Sequence, residues 1–523
     1  MKTLDREILR LALPSILANI TVPLVGLVDT AVAGHLHSSA GTSAEFIGGI
    51  AVGAMVLNVI YWNFAFLRAS TGGLTAQAFG RKAGGNCPWR TCPPPDTGRE
   101  RGPSQMGGAG VSEANGVPTG ADSLRPVDEC AGILQRALKL AMGFALLLIA
   151  LGWPISRLAL VFRDATPGVA ALAIQYVLIR IWAAPATLSL MALKGWFIGM
   201  QDTVSSMLTD LTVNIVNIAA SIILTLGIGG WQGLGFPGIA IGTVVAQYSG
   251  LLLAALLCRF RFRIQFCSEK QPETGTNARF NRGLFRKMAE NGNKTGTNDA
   301  SSGYRSFFRL NRDLFIRSLC MTGIYLGYTF IAAQYGETML ACANIIMNLL
   351  MLFSYFTDGF AYAGEALTGR FIGENNRKML RQAVRGTFRW SFGVAGAWML
   401  IYLLAGPSML GLMTSDEGLT DACARFLPWL VIMPPLGCAA FTWDGIYVGA
   451  TASKEIRNSM LWALAAFLAV WFCGHALLSV CGFAVTASPA GHGASPTAIH
   501  LLLAAYFAHL LARTVYLSVK YIK

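Results

Sequence analysis

Charge is scarce in this chain. Asp, Glu, Lys and Arg make up 13% of its 523 residues, against 54% hydrophobic residues. A soluble protein of this length carries nearly twice that charged fraction, so the composition excludes a soluble globular enzyme and predicts a polytopic membrane protein. Acidic residues are the scarcer sign, 27 against 41 Lys and Arg. In a soluble chain the resulting +14 would suggest nucleic acid. Here the basic residues gather between apolar segments, so the expected partner is the lipid bilayer and no nucleic acid. The 11 cysteines form no framework. Cys258, Cys320, Cys342, Cys423, Cys438, Cys473 and Cys481 sit in or beside apolar segments, where free Cys is a small hydrophobe. Cys87 and Cys92 share a loop without a further Cys or His to complete a zinc set. There is no Walker motif for direct ATP drive, and no nucleophile stands with a matched base, so neither an enzyme nor a cofactor is expected. The first apolar run is too long for a cleavable signal peptide and lacks a small-residue cleavage site.

Twelve spans are predicted, starting near Ile8, Ile47, Ile133, Val169, Val204, Pro237, Asp313, Met339, Ala383, Leu419, Ile456 and Ala498. With the N-terminus placed in the cytoplasm, nearly all of the Lys and Arg fall in cytoplasmic segments. The exceptions are Arg157, Arg163 and Arg425 outside and Arg68, Arg180 and Lys194 within spans. Both termini are therefore expected in the cytoplasm. Residues 86–126, rich in Gly, Pro and Ser, read as a disordered cytoplasmic insertion. Residues 266–305 read as a cytoplasmic linker between lobes covering 1–265 and 306–523.

The two halves resemble each other. Gly73-Leu-Thr-Ala-Gln-Ala-Phe-Gly80 matches Ala366-Leu-Thr-Gly-Arg-Phe-Ile-Gly373 at an offset of 293. Leu193-Lys194-Gly-Trp-Phe-Ile-Gly199 matches Trp443-Asp444-Gly-Ile-Tyr-Val-Gly449 at an offset of 250. The difference is about the length of the insertion, so the halves are collinear without it. Six plus six spans in one orientation make a parallel repeat, an all-α architecture suited to alternating access.

One residue dominates the polar inventory. Asp29 lies inside the first apolar stretch, roughly 28 Å along the helix from Arg10 at 1.5 Å per residue. A carboxylate there is costly unless it lines a wet cavity or takes a proton. The alternative is a solvated Asp near the outer interface.

The surrounding motifs resemble a known family. Leu13-Pro14-Ser-Ile16 running into Thr21-Val-Pro-Leu-Val-Gly-Leu-Val-Asp29-Thr-Ala-Val-Ala-Gly-His-Leu36 resembles the first span of the multidrug and toxic compound extrusion family. Within that family it is similar to the subgroup named for DNA-damage-inducible protein F. Gly195-Trp-Phe-Ile-Gly-Met-Gln201, Asp358-Gly-Phe-Ala-Tyr-Ala-Gly-Glu365-Ala366, Asp444-Gly-Ile-Tyr-Val-Gly-Ala-Thr451 and Arg457-Asn-Ser-Met460 support this in the same order. The resemblance implies a V-shaped carrier of two six-helix lobes that exchanges H⁺ or Na⁺ for outgoing xenobiotics. It places the family's first-span carboxylate on Asp29 and the helix-bending proline on Pro14. It also places the family's fifth-span Asn on Asn217, but Ser221 stands where a second Asp would be. Asp29 would then act with neutral partners such as Asn214 and Asn217, or with another carboxylate.

The remaining polar residues divide between two readings. Asn214 and Asn217 share a helix face and, with Asn58 and Asn63, either line one polar cavity or only tie helices together. Asp358 and Glu365 are seven apart on the eighth span, on roughly one face. Asp444 is the repeat counterpart of Lys194, and their opposite charges suggest a salt bridge across the lobe interface with a gating or structural role. Arg180 reads as the charge partner of a carboxylate. The expected function is secondary active efflux of small amphipathic compounds by a monomer in a bacterial inner membrane. Rivals are a flippase for lipid-linked precursors, which needs a cationic central cavity, and a channel or receptor.

Overall fold

A hydrocarbon environment leaves backbone groups no partner but one another, and the computed structural model is helical throughout its described residues. These are 2–34, 36, 42–83, 126–161, 167–228, 231–262, 300–414, 416–480 and 496–522. The predicted insertion and most of the predicted linker lie outside them. The first half comprises α1 (Lys2–Gly34), α2 (Ser43–Asn63), α3 (Phe66–Ala83), α4 (Pro126–Ala150), short α5 (Gly152–Arg157), α6 (Pro167–Arg180), α7 (Ala184–Gly199), α8 (Thr203–Leu226) and α9 (Phe236–Arg261). The second comprises α10 (Ala300–Ala333), α11 (Glu337–Gly373), α12 (Arg377–Met413), short α13 (Glu417–Ala424), α14 (Leu427–Gly449), α15 (Ser453–Val480) and α16 (Pro496–Ile522). Among the described residues 11 helical stretches are long and apolar enough to cross a membrane, and α1 adds a 33-residue helix. The tenth span runs from Leu427, not from near Leu419, because the short α13 precedes it.

Both termini, the ends of α3, α7, α11 and α14 and the starts of α8, α12 and α15 lie at one end of the bundle, as the alternation of the helices requires. Two spans of the first half are broken. The second bends at the Phe64–Ala65 turn between α2 and α3, and the fourth passes through a 3₁₀ turn at Ile181–Ala183. Such interruptions often mark functional positions.

The repeat is visible in backbone contacts. A Cβ on Gly195 would strike the Arg68 carbonyl, and one on Gly445, its counterpart, would strike that of Ala361, the counterpart of Arg68. Between the halves the relation becomes reciprocal. A Cβ on Gly80 would strike the Arg370 carbonyl, and one on Gly373 would strike that of Gln77. Gln77 and Arg370 are themselves counterparts, and each reaches into the opposite half. Gln77 Nε2 donates to Gly449 O at 3.0 Å and to Thr451 Oγ1 at 3.1 Å, and Arg370 Nη1 donates to Gln201 Oε1 at 3.1 Å. Gln201 and Thr451, 250 apart, both hold left-handed backbone, φ 59° and 53°. That conformation is an outlier for a β-branched residue. One apolar core runs across this seam with residues from both halves, and a second fills the second half.

α1 and α10 cross to the opposite half. A Cβ on Gly359 of α11 would strike Ile16 and the Ala12 carbonyl of α1, while Asn19 Nδ2 donates to Tyr355 O at 3.3 Å. From the other side, Ser70 Oγ donates to Asn311 Oδ1 at 2.8 Å and Phe66 meets Phe315 edge to face. α14 is the central helix of its half, 78% buried over its apolar window, while α15 is 17% buried and faces outward.

Gly80→Val places two methyl groups beyond a Cβ that already meets backbone, so α3 and α11 must separate. A loss of about 1–3 kcal/mol is expected, read as a lowered unfolding midpoint in detergent. Gly143→Ala, whose Cβ would meet nothing within 4 Å, leaves the midpoint unchanged.

Candidate functional site

The first polar cluster is built between α1 and α8, with the end of α6 supplying a charge. Asp29 is 5% exposed on α1, six residues beyond Pro23, and both Pro14 and Pro23 lie inside that helix. It faces α8, an apolar helix with one buried polar stripe: Asn217, Ser221 and Thr225 follow at helical spacing. Ser221 stands beside the carboxylate. Asp29 Oδ1, Ser221 Oγ and Asn217 Oδ1 are buried without a hydrogen-bond partner. Asn217 Nδ2 donates to Thr243 Oγ1 of α9 at 3.0 Å, and Asn214 Nδ2 donates to Thr21 Oγ1 at 2.6 Å, fastening α8 to α1. Arg180, the last residue of α6 before the 3₁₀ turn, donates to Tyr176 Oη and is the cation acting on Asp29. Tyr61 and Tyr176 complete the surroundings. The Tyr61 hydroxyl is buried without a partner.

The Asn pair thus joins this cluster, whereas Asn58 and Asn63 do not bond to it. Asn58 is exposed, and Asn63 Oδ1 accepts from Thr322 Oγ1 of α10 at 3.4 Å.

The second cluster lies in the other half. Asp444 Oδ2 accepts from Arg317 Nη2 of α10 at 2.6 Å and from Arg513 Nη2 of α16. Arg513 is wholly buried, and its Nε and Nη1, Arg317 Nε and Asp444 Oδ1 have no hydrogen-bond partner. This corrects two expectations. Asp444 does not reach Lys194, which pairs instead with Asp210 of α8 within the first half. Arg317 and Arg513 are not loop residues but charges inside apolar helices, drawn there by a carboxylate. Their signal was an arginine within helical reach of an apolar run. Counting by loop hid it, because Arg317 stands ten residues inside the apolar span Phe307–Ala333 and Arg513 nine residues before the end of α16.

Between the clusters, Asp358, Tyr362 and Glu365 share one face of α11. Arg68 of α3 lies along that face, with its Nη1 3.0 Å from Glu365 Oε2 and its guanidinium carbon 4.4 Å from the Tyr362 ring centroid. Asp358 is half-buried and, among the described residues, forms no ion pair of its own. Arg68, Arg317 and Arg513 are the cations acting on it. Tyr61, Tyr176, Arg317 and Arg513 are the members that sequence reasoning missed. The tyrosines carried no signal, since aromatic residues are common in spans of either kind.

A bundle of membrane-spanning helices in two repeated halves, with carboxylates buried in both, has the form of a multi-pass membrane protein, and comparison with known proteins places it among transporters and not enzymes. The chain belongs to the MATE family. The MatE family model matches residues 125–223 and 314–464. DNA damage-inducible protein F of Escherichia coli (strain K12) is 32% identical over 478 residues, covering 90% of this chain and 88% of that protein. The fold matches a MATE protein in its bent conformation with TM-score 0.70 and 15% identity, over 99% of this chain and 94% of that one. It also matches an outward-facing multidrug resistance MATE family transporter with TM-score 0.67 and 15% identity, over 99% and 97%.

Asp444→Asn leaves Arg317 and Arg513 without their shared anion, and an uncompensated buried charge costs about 3–5 kcal/mol. The expected outcome is a steep fall in folded yield and thermal midpoint. Asp358→Asn, which breaks no ion pair, changes either by far less.

Proposed function

We propose that this protein is a secondary active exporter of small amphipathic organic compounds, driven by entry of H⁺ or Na⁺, with Asp29 as the coupling group. The observation that carries the reading is the buried Asp29 carboxylate facing a polar stripe of unpartnered oxygens on α8, in a helix whose other end is wedged between the halves. Such a group of oxygens suits a proton or a small hard cation. Asn217 and Ser221 are the neutral partners, and Asn214 positions them by holding α8 to α1. Asp358, Glu365 and Asp444, with Arg180 and Lys194, form the charge network that differs between inward and outward states. Asn58, exposed on α2, is proposed as a lining residue for cargo.

Occupancy of Asp29 neutralises a charge in a low-dielectric site, so two packings of α1 about Pro14 can exchange stability. The two halves act as the lobes, the end bearing the termini faces the cytoplasm of a bacterial inner membrane, and the carrier works as a monomer. A flippase for lipid-linked precursors needs a cationic interior. Arg68, Arg180, Lys194, Arg317 and Arg513 instead each have a carboxylate beside them or acting on them.

The test is dye efflux from proteoliposomes under an imposed pH gradient or an imposed Na⁺ gradient, applied separately. One of the two drives efflux in the wild type, and Asp29→Asn reduces that driven component at least about tenfold. Full coupled efflux by Asp29→Asn overturns the assignment.

A further inference from the structure

Along the seam, glycines at positions related by the repeat meet carbonyls in both halves. Two neighbouring positions on α3 depart from that pattern together. Position 72 is glycine in the first half and its counterpart is Glu365; position 68 is arginine and its counterpart is Ala361. The exceptions meet each other across the halves. Arg68 Nη1 donates to Glu365 Oε2 at 3.0 Å, and the other oxygen, Oε1, occupies the space that a Cβ on Gly72 would need. The Glu365 side chain is 1% exposed and that of Arg68 is 22% exposed. The other ion pairs described between the halves, Arg370 with Glu7 and Arg389 with Asp5, have more exposed carboxylates, 33% and 25%.

We propose that Arg68 and Glu365 form the lock of the seam, intact while the end bearing the termini is closed and broken when it opens. The geometry requires their separation. Close contacts follow the pair along the same two helices, Gly369 against Ala76 and Gly80 and Gly373 against each other's helix, while Gly73 of α3 meets the Val448 carbonyl of α14. Parting α3 from α11 therefore parts the ion pair. Glu365 Oε1 has no hydrogen-bond partner, so among the described residues Arg68 is the side chain that bonds this carboxylate. Buried charges that lose their partner are strongly disfavoured, so the pair holds the closed state. The break in symmetry places at this point the ion pair between the halves with the most deeply buried carboxylate among those described. Asp358 supplies an input, because it lies on the same face of α11 and acts on the same guanidinium. Cargo or a cation that neutralises Asp358 changes the competition for Arg68. Arg68 and Glu365 are positioning residues and touch no cargo. The inference rests on the alternating-access reading given above.

Hydrogen–deuterium exchange of the full chain in lipid nanodiscs tests it without a transport assay. Glu365→Gln and Arg68→Gln are each expected to speed exchange about tenfold in residues 70–83 and 365–373, the population shift of a lost buried partner. The double variant should add nothing further, because each single change already removes the pair. Arg68→Lys, which keeps the charge, should fall between, and it serves if a neutral variant fails to accumulate. Unchanged exchange in those segments overturns the proposal. So does an equal rise in α9 and α15, which would mark general loosening. Dye efflux by the wild type separates the two claims: efflux with an unresponsive seam removes the lock alone, and a responsive seam without efflux removes the export reading alone.

Discussion

The close approach of α3 to α11 is the contact on which the remainder of the structure depends. Glycines at 80 and 373 let two helices from opposite halves touch backbone to backbone, which no larger residue permits. In a membrane, where apolar surface gains little by leaving lipid, such packing and the polar bonds it brings into range are what hold helices together. Gln77 and Arg370 reach the opposing turns because the helices are this close. The seam also sets where α1 and α10 must pass, each against the other half.

The two halves use this scaffold differently. In the first, a lone carboxylate at the outer part of α1 meets neutral oxygens and one arginine held by a tyrosine. In the second, Asp444 sits on the most enclosed helix and is neutralised by two arginines, with Asp358 left open beside them. A repeat that preserves backbone contacts while diverging in charge gives the halves different polar interiors, one with a carboxylate among neutral oxygens and one with a carboxylate between two arginines. α1 connects them physically, since its first half packs on α11 and its second half carries Asp29.

Much of the fold was legible. Apolar length located the spans except the start of the tenth, the offset of 293 reappears in the reciprocal contacts of Gly80 and Gly373, and the offset of 250 in those of Gly195 and Gly445 and in the left-handed residues at 201 and 451. Asp29 was legible because a carboxylate in an apolar run has few reasons to be there, whereas Asn217 and Ser221 were picked out through the family resemblance. The charge partners were not. Lys194 and Asp444 occupy corresponding positions, yet correspondence in a parallel repeat puts residues at equivalent places in separate halves and does not bring them together. Arg513 was hidden for another reason: a helix end supplies both loop arginines and snorkelling ones, and only the position of Asp444 decides which this is.

In the proposed mechanism the carboxylate on α1 and the seam at the end bearing the termini are two parts of one switch. Electron–electron distance measurements between spin labels test it most directly, with one pair at Ala83 and Lys378 and another at Ile47 and Gln334, on opposite ends of the bundle. The account predicts that supplying the coupling ion lengthens the first distance while shortening the second, and that Asp29→Asn abolishes the response at both ends. Distances that move identically with and without the Asp29 carboxylate would contradict it.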